Sequence, residues 1–269
     1  MNIVVCIKQV PDTTEIKIDP VKNTLIRTGV PSIMNPFDKN ALETGLSLKD
    51  RYGGKVTVIS MGPPQAKAVL REALAMGADE AYLVTDRAFG GSDTYATSYI
   101  LSQAIKKLGA YDVILGGKQA IDGDTGQTAP SIAEHLGATR LTYVLSLKVE
   151  GDKVIAERQV EEGVEVIETK FPVLCTATKE SNKPRYATVK GVMRSFNTEI
   201  GQITLADLPD ADTTKMGLKG SPTKVCSLQG METRFKNQGI RTQSGKFFST
   251  TQLHKMLTMP YCVEATPEV

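Results

Sequence analysis

Four times in succession, a short apolar run rich in β-branched residues is followed by a segment with helical periodicity, and this alternation constrains the fold more than any other feature. The apolar runs are residues 2–10, 55–60, 81–85 and 113–115, and the predicted helices are residues 36–51, 66–76, 94–108 and 128–136. Parallel strands need helical crossovers between them. The sequence therefore predicts an α/β fold with a doubly wound, mostly parallel sheet.

The second half of the chain has a different period. Residues 142–149, 153–159, 165–169 and 173–178 are predicted strands, with a hairpin turn at 150–152, and they predict an antiparallel extension of the sheet. From residue 215 onward, glycines and prolines interrupt any regular period. We predict an α/β nucleotide-binding domain over residues 1–214 and an extended C-terminal arm over residues 215–269 that packs on a partner subunit.

The charge of the chain is unevenly distributed. Residues 1–214 carry 24 Lys or Arg against 27 Asp or Glu, whereas residues 215–269 carry 8 against 3. A basic tail is often a nucleic-acid contact, but no nucleic-acid module is recognisable here. We therefore predict that the arm binds an acidic protein partner and that nucleic acid is not a ligand. Apolar groups near Leu253 and Phe247 also favour a subunit interface.

Composition excludes several other classes of protein. No run approaches the roughly 18 apolar residues of a membrane span, and residues 2–10 do not resemble a signal peptide, so we predict a cytoplasmic protein without a membrane span. The 4 cysteines are scattered without a CxxC pair and there are only 2 histidines, so neither a disulfide framework nor a metal site is predicted.

The loops that follow the four predicted parallel strands all lie at the carboxyl edge of the sheet, where such folds bind ligands. The last of them, residues 116–127, is rich in glycine and is followed by Thr128 as a candidate helix cap and by Pro130 in the first helical turn. Neither GxGxxG nor GxxxxGK[ST] is present, so an ordinary turn that binds nothing stays an alternative. Asp122 and Asp124 would repel a bare phosphate and would suit ribose hydroxyls or a flavin edge better.

Several motifs then resemble one known family. They are residues 4–12 (VVCIKQVPD), 35–37 (NPF), 60–63 (SMGP), 73–79 (ALAMGAD), 117–122 (GKQAID) with Gln127-Thr128, 158–176 and 184–188 (PRYAT). In this order they resemble the β subunit of electron transfer flavoproteins, over residues 1 to about 200. The resemblance implies a Rossmann-like, adenine-nucleotide-binding fold and a heterodimer whose α subunit carries an electron-transferring FAD.

The loops at residues 86–94 and 122–128 are most similar to those of the electron-bifurcating group within that family. That likeness implies FAD in the β subunit, hydride transfer from NADH to the flavin N5, and no catalytic side chain in the protein. One electron would pass to ferredoxin or flavodoxin, and the other, through the α-subunit FAD, to an acyl-CoA dehydrogenase-type or quinone-linked partner. The alternative is a conventional member with structural AMP. A ligase or hydrolase is disfavoured because no SGGxDS loop, catalytic histidine cluster or set of metal-binding carboxylates is present.

The same resemblance implies which residues bind the cofactor and the partners. Those around the adenosine and pyrophosphate would be Cys6, Ile7, Lys8, Asn35, Ser60, Met61, Gly62, Gly116, Gln119, Ala120, Ile121, Asp122, Gly123, Asp124, Thr125, Gly126, Gln127 and Thr128. Those toward the flavin ring or NADH would be Asp86, Arg87, Ala88, Phe89, Asp93 and Thr94. Thr13 and Phe37 would face the α-subunit flavin, and Val189 and Met193 would lie in a loop that recognises acyl-CoA dehydrogenases.

Some of these assignments have structural alternatives. Arg87 is the candidate to steady an anionic flavin or a pyrophosphate, but it could equally be an exposed loop arginine. Phe37 could be a staple for its own helix. Cys6 and Met61 are predicted to pack against adenine rather than react. Val189 stands where a larger leucine is common in the family, which leaves the identity of the partner open.

Overall fold

A computed structural model describes residues 1–12 and 31–223 of the chain. The predicted Thr13 contact and the apolar groups near Phe247 and Leu253 lie outside these residues. Within them, no helix has the length and apolar content that a membrane crossing requires. The same residues hold no cluster of three or more His, Cys, Asp or Glu side chains suited to a metal ion.

The first half alternates strands and helices as predicted. Its elements are β1 (Asn2–Cys6), the short pair β2 (Gln9–Pro11) and β3 (Ser32–Met34), α1 (Pro36–Tyr52), β4 (Lys55–Met61), α2 (Lys67–Met76), β5 (Glu80–Val84), α3 (Thr94–Leu108), β6 (Val113–Gly117) and α4 (Thr128–Leu136). Helix α1 has Pro36 in its first turn, and α2 and α4 end at Gly77 and Gly137. These local signals explain why the predicted helix boundaries agree closely with the structure. The strand predicted over residues 2–10 is wrong in its extent, since it divides into β1 and β2, which belong to different sheets.

The second half adds β7 (Thr139–Glu150), β8 (Lys153–Val160), β9 (Gly163–Lys170), β10 (Val173–Ala177), α5 (Val189–Asn197), β11 (Ile200–Ile203) and α6 (Gly217–Gly220). The sheet has nine strands in the order β11-β5-β4-β1-β6-β10-β7-β8-β9. Strands β7, β8 and β9 form the predicted antiparallel extension. Strand β10 does not belong to it, because it lies inside the sheet and is parallel to both β6 and β7.

Apolar residues pack on both faces of this sheet. One core includes Leu42, Leu46 and Leu70 from α1 and α2, and the other includes Ile100 and Ile105 from α3. The parallel strands are almost continuously buried, as expected when helices cover both faces. Two cores held by one sheet give the loops at the carboxyl edge a rigid base.

Residues 179–214 contain more regular structure than the sequence indicated. Strand β11 extends the parallel sheet beside β5, and helix α5 packs on α2. The prediction that Val189 and Met193 lie in a loop is wrong: the chain is extended only to Thr188, after which α5 begins and includes both residues. Residues 216–221 pack against the loop before α3, where Gly217 N donates to Ser92 Oγ (3.1 Å). The boundary at residue 214 stays a prediction.

Candidate functional site

The loops after β1, β4, β5 and β6 lie side by side at one edge of the sheet. Backbone hydrogen bonds continue the strand pairing into them, with Ile7 N donating to Ile59 O (2.9 Å) and Gly62 N to Val84 O (3.1 Å). Parallel strands present their carboxyl ends together, so this edge is the candidate ligand site. The side chains that shape it come from β1, α1, β4 and the loop after β6.

Asn35 joins two of these loops. Its backbone N–H donates to Lys8 O (2.9 Å), its Nδ2 donates to Gln119 O (2.8 Å), and its Oδ1 accepts from Ile121 N (3.2 Å). Asn35 stands at the N-cap position of α1, but its side chain makes no capping hydrogen bond to that helix. The buried amide instead braces the loop after β6 against the end of β1.

Asp38, in the first turn of α1, also connects the residues that end β6 with those that follow β1. Its Oδ2 accepts from Lys8 N (2.7 Å) and its Oδ1 accepts from Gly117 N (3.0 Å). Burial raises the pKa of this carboxyl to about 7, although hydrogen bonds from Asn35, Lys8 and Gly117 oppose the shift. The sequence does not indicate this role of Asp38, because its hydrogen-bond partners lie 30 and 79 residues away in the chain.

Gly117 is fixed by this arrangement. A Cβ at this position would collide with Asp38 Oδ1 and would lie 2.7 Å from Phe37 Cβ. The neighbouring Gly116 is less restricted, since its Cβ would lie 3.2 Å from the Cβ of Ala129 in α4. Glycine at 117 therefore serves the close packing of β6 against α1, and the loop proper begins after it.

Asp122 and Asp124, the two aspartates of the loop after β6, each have a side-chain partner within the protein. Lys8 Nζ lies 2.6 Å from Asp122 Oδ1 and 2.8 Å from Oδ2, and the Asp122 side chain is only 9% exposed. Asp124, with φ 49°, accepts from Gln119 Nε2 (2.8 Å) and donates its N–H to Ala120 O (2.8 Å). Lys8 balances the charge of Asp122. The repulsion predicted between this loop and a nearby phosphate would therefore come mainly from Asp124.

The far end of the loop leads into α4. The N-cap residue is Gln127, so the prediction that Thr128 caps the helix is wrong: Thr128 is its first residue. Gly126 has φ 63°, which a residue other than glycine adopts only with strain. Gly123 differs from it, since a Cβ there would meet no described protein atom within 4 Å. Thr125 and Gln127 are exposed.

Beside this loop, the end of β4 contributes Ser60, Met61 and Gly62. Ser60 is fully buried, and among residues 1–12 and 31–223 its hydroxyl has no hydrogen-bond partner. At the adjacent end of β1, burial and the charge of Asp38 raise the pKa of the Cys6 thiol to about 12. The thiol is therefore protonated near neutral pH, which agrees with the prediction that Cys6 packs rather than reacts.

The loop after β5 is held mainly by its own acidic residues. Asp86 accepts from Ala88 N (2.9 Å) and Leu205 N (3.1 Å), and these bonds lower its pKa. Asp93 accepts from Ala96 N (3.0 Å) at the start of α3. The Phe89 ring is buried in the α3-side core rather than presented to solvent.

Among the predicted flavin-side residues, Arg87 and Ala88 are exposed, and Thr94 is half-buried. The sequence did not indicate that Asp86, Asp93 and Phe89 would have structural contacts of this kind. The loop is also tied to residues outside the predicted site, since Asp93 N donates to Ser221 Oγ (2.9 Å).

The predicted partner-facing residues lie in two places. Phe37 is half-buried next to Lys118, whose Nζ is 5.9 Å from the Phe37 ring centroid and 5.4 Å from that of Tyr143. Tyr143 has φ 58° and lies where the pairing of β7 with β10 shifts register, between Leu141 and Val144. Neither Lys118 nor Tyr143 is among the predicted site residues, and no local sequence pattern indicates that they lie near Phe37.

Val189 and Met193 lie on α5, one turn apart, with exposures of 81% and 66%. Val192 and Phe196 continue the same face at the spacing of a helix and are 39% and 73% exposed. We call these four residues the α5 stripe. Such a contiguous apolar face on the outside of a protein marks an interaction surface.

Comparisons with known proteins match most of the chain. The model of the electron transfer flavoprotein domain matches residues 22–208. An electron transfer flavoprotein subunit beta from Clostridium acetobutylicum is 61% identical over 84% of this chain and 86% of its own length. The caffeyl-CoA reductase-Etf complex subunit CarD of Acetobacterium woodii is 53% identical over the same shares, and protein FixA of Azorhizobium caulinodans is 47% identical over 84% and 83%.

Proposed function

This chain is a β subunit of the electron transfer flavoprotein family, and on that premise we propose that it binds FAD at the carboxyl edge of its sheet and accepts hydride there from NADH. In this proposal the electrons divide: one passes to ferredoxin or flavodoxin, and the other passes through the FAD of an α subunit to a further acceptor. We place the protein in the cytoplasm, where its unpaired thiols would stay reduced.

The observation that carries the nucleotide site is the Ser60 hydroxyl, which is fully buried at the end of β4 without a partner in the described part of the chain. A buried hydroxyl left unpaired costs about 1–3 kcal/mol. A ligand nitrogen or oxygen would offset that cost, and Ser60 lies at the edge where nucleotides bind to such sheets. Ile7, whose N–H donates to the carbonyl of the residue before Ser60, belongs to the same predicted site.

The chain's own residues fit a bound dinucleotide. The Asn35 and Asp38 hydrogen bonds hold the loop after β6 in place, and Lys8 balances the charge of Asp122 close to where a pyrophosphate would lie. Gly123 leaves room that a larger side chain would fill. Arg87, exposed on the neighbouring loop, supplies a positive charge for an anionic ring or for NADH. The flavin, when bound, supplies the hydride-accepting atom.

The alternative is a conventional β subunit that holds AMP at the same edge. Release of the nucleotides from the purified heterodimer by heat, followed by chromatographic identification, distinguishes the two. We expect two FAD for each αβ pair. One FAD and one AMP would contradict the proposal and establish the conventional alternative.

We also propose that the α5 stripe docks an acyl-CoA dehydrogenase-type acceptor. The support is the relative CarD, which is named as a subunit of a caffeyl-CoA reductase complex and is 53% identical to this chain. A quinone-linked acceptor is the second candidate. The stripe suits a protein partner because its apolar side chains project from a helix that packs on α2.

Replacement of a stripe residue by aspartate tests this docking. We expect Met193→Asp to raise the KM for a purified acyl-CoA dehydrogenase about tenfold or more, because a charge would be buried at the interface. Reduction of a small dye by NADH should stay unchanged. Val166→Asp is the matched control, since Val166 is exposed to a similar extent (68%) on β9. An unchanged KM in Met193→Asp would rule out docking at the stripe.

A further inference from the structure

Helices α2 and α5 are joined by two arginines, one on each helix, which donate hydrogen bonds to carbonyl groups at the carboxyl end of the other helix. Arg71, on α2, donates from Nη1 to Ser195 O and to Thr198 O (2.7 Å) at the end of α5. Arg194, on α5, donates from Nη2 to Leu74 O (2.9 Å) and to Ala78 O (3.0 Å) at the end of α2. The last carbonyls of a helix lack partners within it and attract cations. Each helix therefore supplies a cation to carbonyls at the carboxyl end of the other.

The two helices also approach each other closely. A Cβ at position 191 would collide with Ala75 O and would lie 3.1 Å from Thr188 Oγ1, so only glycine fits between the helices at this point. Ser195, one turn later, is buried. The Arg71 guanidinium also lies 5.9 Å from the ring centroid of Phe196, a residue of the stripe. These contacts fix the rotation of α5 about its own axis.

The chain that enters α5 is held as well. Arg185 makes an ion pair from Nε to Glu43 Oε2 (2.9 Å) and another from Nη2 to Asp50 Oδ2 (2.8 Å), both on α1. Asn182 Nδ2 donates to Asn40 O (3.0 Å), also on α1. The stripe is thus carried by a helix that is anchored before its first turn and at its last.

We propose that Arg71 and Arg194 are positioning residues for acceptor docking: by fixing the rotation of α5 they present the stripe in one orientation before the acceptor arrives. This inference rests on the docking function proposed above. Neither arginine needs to touch the acceptor. Loss of either should leave the chemistry intact and weaken docking, because a surface that must be ordered on binding loses affinity.

The experiment uses the purified heterodimer and the variants Arg71→Ala, Arg71→Lys, Arg194→Ala and Gly191→Ala. For the two arginine-to-alanine variants and for Gly191→Ala, we expect the KM for an acyl-CoA dehydrogenase to rise roughly three- to tenfold while kcat at saturating acceptor changes less than about twofold. Arg71→Lys keeps the cation and one donor group, so it should recover part of the KM.

Two further readouts separate positioning from general damage. Hydrogen exchange of the amides of Val192 and Thr198, which bond to Thr188 O and Arg194 O, should become faster in Arg71→Ala. Dye reduction by NADH should equal that of the wild type. Arg140→Ala is the control. Arg140 is an exposed arginine on β7, in the other half of the sheet, and within the described residues its only ion pair is with Glu134.

The outcomes distinguish this inference from the docking proposal. If Met193→Asp leaves the acceptor KM unchanged, docking at α5 is wrong and the positioning role falls with it. If Met193→Asp raises the KM but Arg71→Ala, Arg194→Ala and Gly191→Ala all match the wild type, docking stands and the positioning role is wrong. Should Arg71→Ala fail to fold, Arg194→Ala decides the question, since the Arg194 side chain is exposed.

Discussion

At the scale of single residues, the site depends on polar groups that join distant parts of the chain. Asp38 lies at the start of α1, yet both of its carboxylate oxygens accept backbone N–H groups from the ends of β1 and β6. Loss of one partner of a buried hydrogen bond costs more than the bond itself contributes, because the other partner is left unpaired. The position of the loop after β6 therefore depends on the hydrogen bonds of one buried carboxyl group.

This leads to a prediction for Asp38→Asn. The pKa of Asp38 in the folded chain, about 7, is above the usual 3.8, so between about pH 4 and pH 7 the unfolded chain releases the proton first and stability falls as pH rises. Asparagine lacks this contribution but points an NH2 group at a backbone donor. We expect the variant to be less stable than the wild type at pH 5, with the gap narrowing by on the order of 2 kcal/mol by pH 8.

Chemical denaturation of the heterodimer at fixed protein concentration, at several values of pH, measures this gap. Asp152→Asn is a suitable control because Asp152 is exposed in the hairpin turn between β7 and β8. A gap of constant size from pH 5 to pH 8 would show that Asp38 does not titrate in this range.

The same residues show what the sequence could and could not predict. The helix predicted over residues 36–51 begins at the correct residue, Pro36, with Asn35 at its N-cap position. The side chain of Asn35 nevertheless bonds to residues 119 and 121, because tertiary hydrogen bonds replaced the cap. Local patterns predict where an element begins, but they carry no information about a partner more than 80 residues away.

At the scale of elements, the glycine at the end of β6 and the glycine in the loop before α4 have different physical roles. Gly117 is required by packing against Phe37 and Asp38, whereas a Cβ at Gly123 would meet no protein atom nearby. A substitution at 117 should therefore disturb the fold itself. A substitution at position 123 should mainly affect the binding of a ligand.

We predict that Gly123→Val folds and assembles like the wild type but loses the β-side flavin, because its branches fill space that the ring needs. Gly123→Ala, with only a Cβ, is the matched control and should retain much more flavin. Gly117→Ala should lower the melting temperature by several degrees, as expected for a collision in a packed region. Flavin content per heterodimer and thermal unfolding measure these effects. Full flavin retention in Gly123→Val would contradict the proposal that this loop contacts the β-side flavin.

Elements with an ordinary buried face were predicted well, and α5 was not. Helix α3 spans residues 94–108 as predicted, since its apolar positions recur on the face that it buries. Helix α5 buries Ser195 and exposes its apolar residues. Because its apolar side chains do not face the core, the sequence of this segment was interpreted as irregular rather than helical. The parallel placement of β10 was also missed, because strand period alone does not specify the neighbours of a strand.

At the scale of the whole molecule, charge separates the body from the arm. Residues 1–214 have an excess of 3 acidic side chains, and residues 215–269 have an excess of 5 basic ones. The described body has its own two cores and a continuous sheet, so it has the means to fold without residues 224–269. The arm, by its composition, is suited to a partner surface of opposite charge.

We therefore predict that a chain ending at Thr223 folds but does not assemble with the α subunit. Circular dichroism and thermal unfolding of the truncated chain should show a cooperative α/β domain, while a tagged α subunit should fail to copurify it. A full-length chain with Arg234, Lys236, Arg241 and Lys246 changed to glutamine is the companion variant. It should assemble more weakly than the wild type at low salt and differ less at high salt, because salt screens the attraction. If the truncated chain assembled with wild-type affinity, the arm would not be the partner-binding element.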